Sequence, residues 1–307
     1  MTVPHTHPAA LTLPENEFLS AELQRPLPRG RAYFSYAMSA IAFGLTGLAL
    51  LPLLAILIEI LRQGLPHLRG EVFVSLPAPV GMTGVPNGFA NAIMGTLLMV
   101  GIACLLSIPM GILTAIFLAE FSQGSAIASL IRFVTTVLSG VPSIVVGVFA
   151  YGVVVLAMKQ FSALAGGFAL AVIMLPIVVL TTEEALKLVP VSQRLASAAL
   201  GTSRLQTTFR VVIATALPGI VTGVLLAIAR VAGETAPLLF TALFSQNWLT
   251  GLFSPTPSLS VMIYNYANSP YIEQTQLAWT ASVVLVGLVL LISVLSRLVT
   301  RQRLKIR

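Results

Sequence analysis

The sequence predicts an all-α integral membrane protein with six transmembrane helices. Three observations support this class: the composition, the length of the apolar runs and the positions of the charged residues. Apolar residues make up 57% of the 307 positions and charged residues only 9%, whereas soluble domains average about 25% charged residues. A chain with so few charged side chains cannot cover a surface that faces water on all sides.

Six apolar runs are long enough to be membrane spans, because a helix needs about 20 apolar residues to cross the hydrocarbon core of a bilayer. The first run begins too far into the chain and is too long to be the core of a signal peptide, so we interpret it as a retained span. In the third run, Pro142 is expected to bend the helix. The predicted spans are residues 32–58, 91–118, 133–158, 162–182, 211–233 and 277–296.

Two polar tails flank the predicted membrane domain, which covers residues 32–300. Residues 1–31 are rich in proline and lack apolar periodicity, which is typical of a disordered tail. Residues 301–307 form a short basic tail. Because the number of spans is even, both tails are expected on the same side of the membrane.

The lysines and arginines predict which side that is, because cytoplasmic loops carry an excess of them. Thirteen of the 17 lie on the side of the two tails. Only Arg62, Arg69 and Lys159 lie on the opposite side, and Arg230 lies inside the fifth span. This bias predicts that both termini are cytoplasmic.

Several classes of function are excluded by what the sequence lacks. Cys104 is the only cysteine, which excludes a disulfide framework and a cysteine-built metal site. Aspartate is absent and there are only three histidines, so a hydrolase or a metalloenzyme would lack the groups that it needs. The sequence contains neither a GxxxxGKS/T phosphate loop nor a basic patch with interleaved aromatic residues. We therefore expect no catalytic residue, metal, cofactor or nucleic-acid partner.

The loop between the fourth and fifth spans, residues 183–210, is predicted to carry a short amphipathic helix. Gly201 is expected to end this helix and Ser192 to cap its beginning. Such a helix either inserts into a groove of another protein or lies against lipid headgroups, helped by the neighbouring arginines. Its small apolar face has helical spacing and consists of Leu195, Ala196, Ala199 and Leu200.

Three acidic residues end predicted spans at the side of the tails. Glu120 ends the second span, and Glu183 and Glu184 end the fourth. Charged side chains at such positions are ordinarily solvated, and we predict the same here. A role in coupling is the alternative.

Arg230 and Glu234 are the only charged residues between Val211 and Phe244. Each costs roughly 2.5–3.5 kcal/mol near the centre of a bilayer, so their presence predicts a function. Their spacing places both on one face of a helix, about one turn apart. The alternative is that they pair with each other, or across helices, and stabilise the bundle.

The neighbours of this pair have predicted roles of their own. Gly233 is expected to let another backbone approach closely, and Pro237 to break the helix and free backbone groups. If the span begins at Pro218 rather than at Val211, Arg230 lies near the middle of the bilayer. We prefer this second position of Arg230.

Parts of the chain resemble a known family. The loop sequence RLASAALGTSRLQ resembles the EAA loop of ABC-importer permeases, whose pattern is E-A-A-x-x-x-G. Ala196 and Gly201 match the pattern, whereas Leu195 replaces the glutamate and Ser197 replaces the second alanine. Over roughly residues 80–300, four more stretches resemble the phosphate-importer permeases of this family: GFANAIMGTLLMV, IPMGILTAIFLAEF, VLSGVPSIVVGVFAYG and TGVLLAIARVAGETAPLLFTALF.

The resemblance implies a type I ABC-importer permease bundle with a cytoplasmic coupling helix, in a bacterial plasma (inner) membrane. It implies a sister phosphate permease as heterodimer partner, two ATPase subunits, an external phosphate-binding protein, and phosphate as the cargo. The residues implied to couple to the ATPase are Leu195, Ala196, Ala199, Leu200 and Gly201. The residues implied to line the substrate pathway are Arg230, Gly233, Glu234 and Thr235.

The chemistry of Arg230 suits such a cargo. Its planar fork can donate two parallel hydrogen bonds to phosphate oxygens, and an arginine keeps its proton at any working pH. Glu234 is expected to hold the arginine in one rotamer and to weaken the field, so that the anion is released.

Two alternatives stay open from the residues alone. Sulfate, molybdate or another oxyanion would suit an arginine equally well. An ion-coupled secondary transporter or an anion channel would need its own coupling site, usually intramembrane acids or broken helices. Glu234 is the only deep acid that could serve it.

Overall fold

A computed structural model of the chain describes residues 29–82, 84–122 and 124–304. The regular structure within these ranges is helical, as predicted. The helix α2 continues into a wider π-helical turn, Phe117–Phe121. In chain order the helices are α1 (Arg29–Gly64), α2 (Ala90–Ile116), α3 (Ala126–Gly140), α4 (Ser143–Met158), α5 (Ala163–Lys187), α6 (Val191–Ala199), α7 (Arg204–Ala232), α8 (Ala236–Leu239), α9 (Leu259–Ala267) and α10 (Ile272–Leu304).

The chain divides into two compact units, Met1–Ile58 and Glu59–Arg307. In the first unit the described residues belong to α1, and apolar side chains such as Tyr36 and Phe43 are exposed along it. A helix that is apolar on all sides is typical of a membrane span.

The two predicted tails fall largely outside the described residues. Residues 1–28 of the predicted tail 1–31 lie outside them, and residues 29–31 form the first turn of α1. At the other end, α10 continues to Leu304, and residues 305–307 of the predicted tail 301–307 lie outside the described ranges.

Among the described helices, α1, α2, α5, α7 and α10 are each long and apolar enough to cross a membrane. The helices α3 and α4 pass the same test together and correspond to the third predicted span. The third predicted span, residues 133–158, begins earlier than predicted, at Ala126, and it consists of two helices.

The helix α5 lies at the centre of the second unit, between α2 and α7. A Cβ atom added to Gly111 of α2 would lie 2.7 Å from Cγ1 of Val178, and one added to Gly167 of α5 would lie 2.5 Å from Cγ2 of Ile102. Glycines at such contacts let membrane helices approach closely. Ile102 of α2 contacts Gly167 of α5, and the later residue Gly111 of α2 contacts the later residue Val178 of α5. The two helices therefore run parallel.

The helix α7 runs antiparallel to α5. Gly219 lies against Ala185 and Gly223 lies against Thr181. Each further turn of α7 therefore advances towards the middle of α5, and this brings Arg230 to the level of the central turns of α5.

Candidate functional site

A bend of 105° divides the third span between α3 and α4. Val141 ends α3 in an extended conformation, with φ −70° and ψ 131°. A proline ring excludes the helical conformation from the residue before it, so Pro142 accounts for this end. The predicted bend at Pro142 is confirmed, and it is sharp enough to begin a new helix at Ser143.

The charged pair lies at the C-terminal end of α7. Arg230 is in the last turn and Gly233 follows the helix, so Glu234 is not on a continuing helix face as predicted. The N–H of Glu234 donates to the Val231 carbonyl at 3.2 Å, and its carbonyl accepts from the Ser260 hydroxyl of α9 at 2.8 Å. A cation in the last turn of a helix is favoured by the helix dipole.

Arg230 and Glu234 nevertheless line the same cavity, of about 220 Å³. Ile173 and Ile177, from the middle of α5, form an apolar wall. The cavity is therefore level with the centre of α5, which agrees with the deeper of the two predicted positions of Arg230. The third span contributes the remaining lining residues, which are Leu138, Ser139, Gly140, Val141, Pro142, Ser143 and Val146.

The two charged side chains share this cavity without pairing. Within the described ranges, the ion pairs closer than 4.0 Å involve neither Arg230 nor Glu234. The alternative in which the two charges pair and stabilise the bundle is therefore wrong for this part of the chain. The predicted role of Glu234 in holding the arginine by direct contact is wrong for the same reason.

The neighbouring residues differ from their predicted roles. A Cβ atom at Gly233 would meet only the Arg230 carbonyl oxygen, at 3.8 Å, so no other backbone of the described chain approaches it. Pro237 does not break α7, which has already ended at Ala232, and instead begins α8. Neither Gly233 nor Thr235 is among the residues that line the cavity.

The predicted short helix of the loop is α6. Leu195 is 65% exposed and Leu200 is 84% exposed, and the other predicted coupling residues, Ala196, Ala199 and Gly201, are exposed as well. Gly201 follows the helix with φ +77°, which confirms its predicted role. The helix is preceded by Pro190 and has no side-chain cap, so the predicted cap at Ser192 is wrong.

Ser197, which replaces the second alanine of the EAA pattern, is buried and joins α6 to α7. Its Oγ lies 2.7 Å from Thr202 Oγ1 and 2.9 Å from Thr207 Oγ1. The two threonine hydroxyls are themselves 2.9 Å apart. We call these three residues the hydroxyl cluster. The departure from the family pattern thus has a local structural explanation.

Two of the three acidic residues predicted to be solvated are buried instead. Glu183 accepts from Arg132 Nε at 2.8 Å and lies 3.1 Å from Lys187 Nζ. Glu120 accepts from Arg194 Nη2 at 2.9 Å. For Glu184, which is 70% exposed, the prediction is confirmed.

Little in the residue pattern indicates these ion pairs of buried carboxylates. Glu120 and Arg194 are 74 residues apart, and Arg132 and Glu183 are 51 apart. Local spacing carries no information over such separations. The only available hint is that a basic residue occurs in each loop on the same predicted side of the membrane.

The chain matches a known family over most of its length. Residues 107–305 match the family model described as "Binding-protein-dependent transport system inner membrane component". The chain is 40% identical to the phosphate transport system permease protein PstA of Yersinia pestis over 271 residues, which cover 88% of this chain and 90% of the relative. It is 38% identical to the probable phosphate transport system permease protein PstA of Methanocaldococcus jannaschii, over 85% of this chain and 92% of the relative.

Solved structures agree on the fold. An inward-facing structure of the MetNI methionine ABC transporter matches with a TM-score of 0.57 at 22% identity, over 69% of this chain and 94% of that chain. A bacterial alginate ABC transporter matches with a TM-score of 0.62 at 14% identity, over 89% of this chain and 96% of that chain.

Proposed function

The chain belongs to the PstA family of phosphate transport system permease proteins, and on that premise we propose that it forms half of the translocation pathway of an ATP-driven phosphate importer. A permease of this family catalyses no reaction itself, since a separate subunit hydrolyses ATP. The observation that carries the proposal for this chain is the unpaired Arg230 in a cavity at the bend of a membrane span.

Arg230 supplies the attraction for the anion. Its guanidinium is not neutralised by an ion pair within the described residues, and charge-assisted hydrogen bonds to phosphate are roughly twice as strong as neutral ones. The walls formed by Ile173, Ile177 and Val146 are apolar and offer no charge that competes with Arg230 for the anion. Ser143, in the first turn of α4, adds a hydroxyl and an N–H group without an intrahelical acceptor.

Glu234 favours phosphate over the other oxyanions that the sequence left open. Near neutral pH phosphate keeps at least one proton and can donate a hydrogen bond to a carboxylate. Sulfate and molybdate have no proton to donate, so a carboxylate in the same cavity only repels them. Glu234 also lowers the net positive charge of the cavity, which suits a site that must release its cargo.

The exposed face of α6 is the proposed docking site for the ATPase. The large exposed fractions of Leu195 and Leu200 are typical of an apolar face that a partner covers. Gly201 and the hydroxyl cluster fix the end of α6 and hold this face in place. We infer that the glutamate missing from the EAA pattern is not needed for docking by apolar contact.

The assembly and orientation follow from the same proposal. The chain pairs with a sister phosphate permease, and two ATPase subunits bind on the side of α6. An external phosphate-binding protein delivers the cargo from the opposite side of a bacterial inner membrane. Both termini are then cytoplasmic, in agreement with the excess of basic residues on that side.

Phosphate uptake tests the role of Arg230. Vesicles containing the chain with its sister permease, ATPase and binding protein are expected to take up labelled phosphate only with ATP. Arg230→Ala is expected to reduce uptake by about 10- to 100-fold, since a hydrogen bond to a charged group contributes roughly 1.5–3 kcal/mol. Arg230→Lys is expected to restore uptake only in part, because it keeps the charge but not the fork.

The matched control for this test is Arg62→Ala. It removes the same charge from a side chain that is 76% exposed and lies outside the cavity, and it is expected to leave uptake unchanged. Normal uptake by assembled complexes with Arg230→Ala would show that Arg230 does not bind the cargo.

Copurification tests the docking face. Leu200→Asp is expected to reduce recovery of the ATPase with the permease by about tenfold, because it places a charge at an apolar contact. Leu65→Asp puts the same charge on a leucine that is 50% exposed and belongs to a different loop, and it should leave recovery unchanged. Equal recovery with both variants would contradict docking through α6.

A further inference from the structure

The end of the bundle that carries α6 holds a second set of charged side chains, which the proposed pathway does not use. Glu120 lies in the π-helical turn that ends α2, and its side chain is only 9% exposed. Arg194 of α6 donates from Nη2 to Glu120 Oε1 at 2.9 Å. An ion pair with a buried carboxylate therefore joins α6 to α2.

Acceptors at the end of α5 also hold Arg194. Its Nη1 donates to the Val189 carbonyl at 2.6 Å, and its Nη2 donates to the Leu186 carbonyl at 2.9 Å. Three acceptors on two sides fix the plane of the guanidinium and aim it at Glu120. The first turns of α6 therefore cannot shift relative to α2 and α5 without breaking these bonds.

Arg204, at the beginning of α7, fixes the other end of the α6 segment to the same turn of α2. Its Nη2 donates to the Glu120 carbonyl. Its guanidinium carbon lies 5.4 Å from the centre of the Phe121 ring, which is within the range of a cation–π contact. Arg194 within α6 and Arg204 after it thus hold the same turn at the end of α2, and this restricts rotation as well as translation of α6.

The end of α2 is tied in turn to the third span. Arg132 of α3 donates from Nη2 to the Leu118 carbonyl at 2.9 Å. Leu138 and Gly140, which line the cavity at Arg230, lie farther along the same helix as Arg132. A series of polar contacts therefore leads from α6 through the end of α2 to the wall of the cavity.

We propose that Glu120, Arg194 and Arg204 form a rigid connection through which a displacement of α6 reaches α2 and, through Arg132, the bend of the third span. This inference rests on the proposed function, in which an ATPase moves α6. Stability alone explains such a pair poorly, because replacing both members of a buried ion pair by neutral groups is often harmless to stability. The three are positioning residues, since they act on the cavity from a distance.

Thiol labelling of the cavity wall tests the connection without relying on the cargo. The assembled transporter carries Cys104→Ala and Leu138→Cys, and ATP with vanadate is expected to change the labelling rate of the introduced thiol by roughly tenfold, within the usual range of allosteric couplings. Glu120→Gln, Arg194→Gln and the double variant are each expected to reduce this change to about twofold or less, with the ATPase still bound.

Thermal unfolding separates a positioning role from a purely structural one. Each single substitution leaves one buried charge without its partner and is expected to lower the unfolding temperature, whereas the double variant removes both charges and regains stability. The labelling response is expected to stay lost in the double variant. If it returns together with stability, Glu120 and Arg194 serve folding only and the proposal is wrong. An unchanged response in both single variants would also overturn it.

Glu184→Gln is the matched control, because it neutralises an exposed carboxylate at the same end of the bundle and is expected to keep the full response. Phosphate uptake is measured on parallel vesicles in which the chain keeps Leu138, because Leu138 lines the cavity. If these vesicles take up no phosphate while the labelled protein responds to nucleotide, the proposed cargo is refuted, and the connection is still decided by the labelling. If they take up phosphate while the labelled protein shows no response to nucleotide, the connection is overturned.

Discussion

Two sets of charged residues in the second unit differ in whether they form ion pairs. Near α6, the buried carboxylates of Glu120 and Glu183 each accept a hydrogen bond from an arginine. At the bend of the third span, Arg230 and Glu234 share a cavity but form no ion pair within the described residues. A charge that is already paired fixes the geometry of the protein, whereas an unpaired charge keeps its capacity for a ligand. This contrast supports the proposal that the second set binds the cargo while the first set fixes the positions of the helices.

The largest expected effect on stability is at Glu183, whose side chain is 3% exposed. Glu183→Ala leaves Arg132 without its carboxylate and is expected to destabilise the protein by roughly 3 kcal/mol, as measured by thermal unfolding in detergent. Glu184→Ala, at an exposed position, is expected to change stability by less than about 0.5 kcal/mol. If Arg230→Ala lowered the unfolding temperature as much as Glu183→Ala, the contrast between the two sets of charges would fail.

A smaller effect is expected on selectivity at Glu234. Glu234→Gln removes the repulsion of sulfate and the acceptor for the proton of phosphate, so inhibition of phosphate uptake by sulfate is expected to strengthen by about tenfold, or roughly 1.4 kcal/mol. Dose–response curves for sulfate against labelled phosphate measure this change. Glu273→Gln removes a carboxylate outside the cavity and serves as the control. Identical curves for both variants would show that Glu234 does not contribute to the selectivity of the site.

The smallest expected effect concerns the hydroxyl cluster. Ser197→Ala restores the alanine of the EAA pattern, but it removes a hydroxyl that contacts Thr202 and Thr207. The loss is expected to destabilise the protein by about 1 kcal/mol, again by thermal unfolding. Ser192→Ala, which removes an exposed hydroxyl that does not cap α6, should be neutral. A stabilising Ser197→Ala would mean that the family pattern, and not the hydroxyl cluster, is optimal here.

Much of the fold could be predicted because the bilayer imposes simple rules. Apolar length gave the spans, and a proline in the third of them gave the bend at Pro142. Arg230 was conspicuous because a charge in an apolar run is costly. The exposed face of α6 was visible in the spacing of its small apolar residues.

Other features depended on tertiary contacts that local spacing does not encode. The predicted span 211–233 ends within one residue of the end of α7 at Ala232. Glu234 was nevertheless placed on the helix face of Arg230, because the apolar run continues past this end and the spacing of the two residues is helical. The side chain of Glu120 was predicted to be solvated because its partner, Arg194, is 74 residues away in the sequence. Sequence periodicity describes single helices well, but it is silent about the contacts between the ends of different helices.

The cavity at the bend also has an electrical consequence. Among its lining residues, one guanidinium and one carboxylate give it no formal net charge. If the cargo is the proposed phosphate, the bound anion adds its own negative charge to the cavity, and each elementary charge that crosses the full potential corresponds to about 2.3 kcal/mol per 100 mV. On the proposed function, import into a cell with a negative interior therefore meets an opposing voltage in the loaded step.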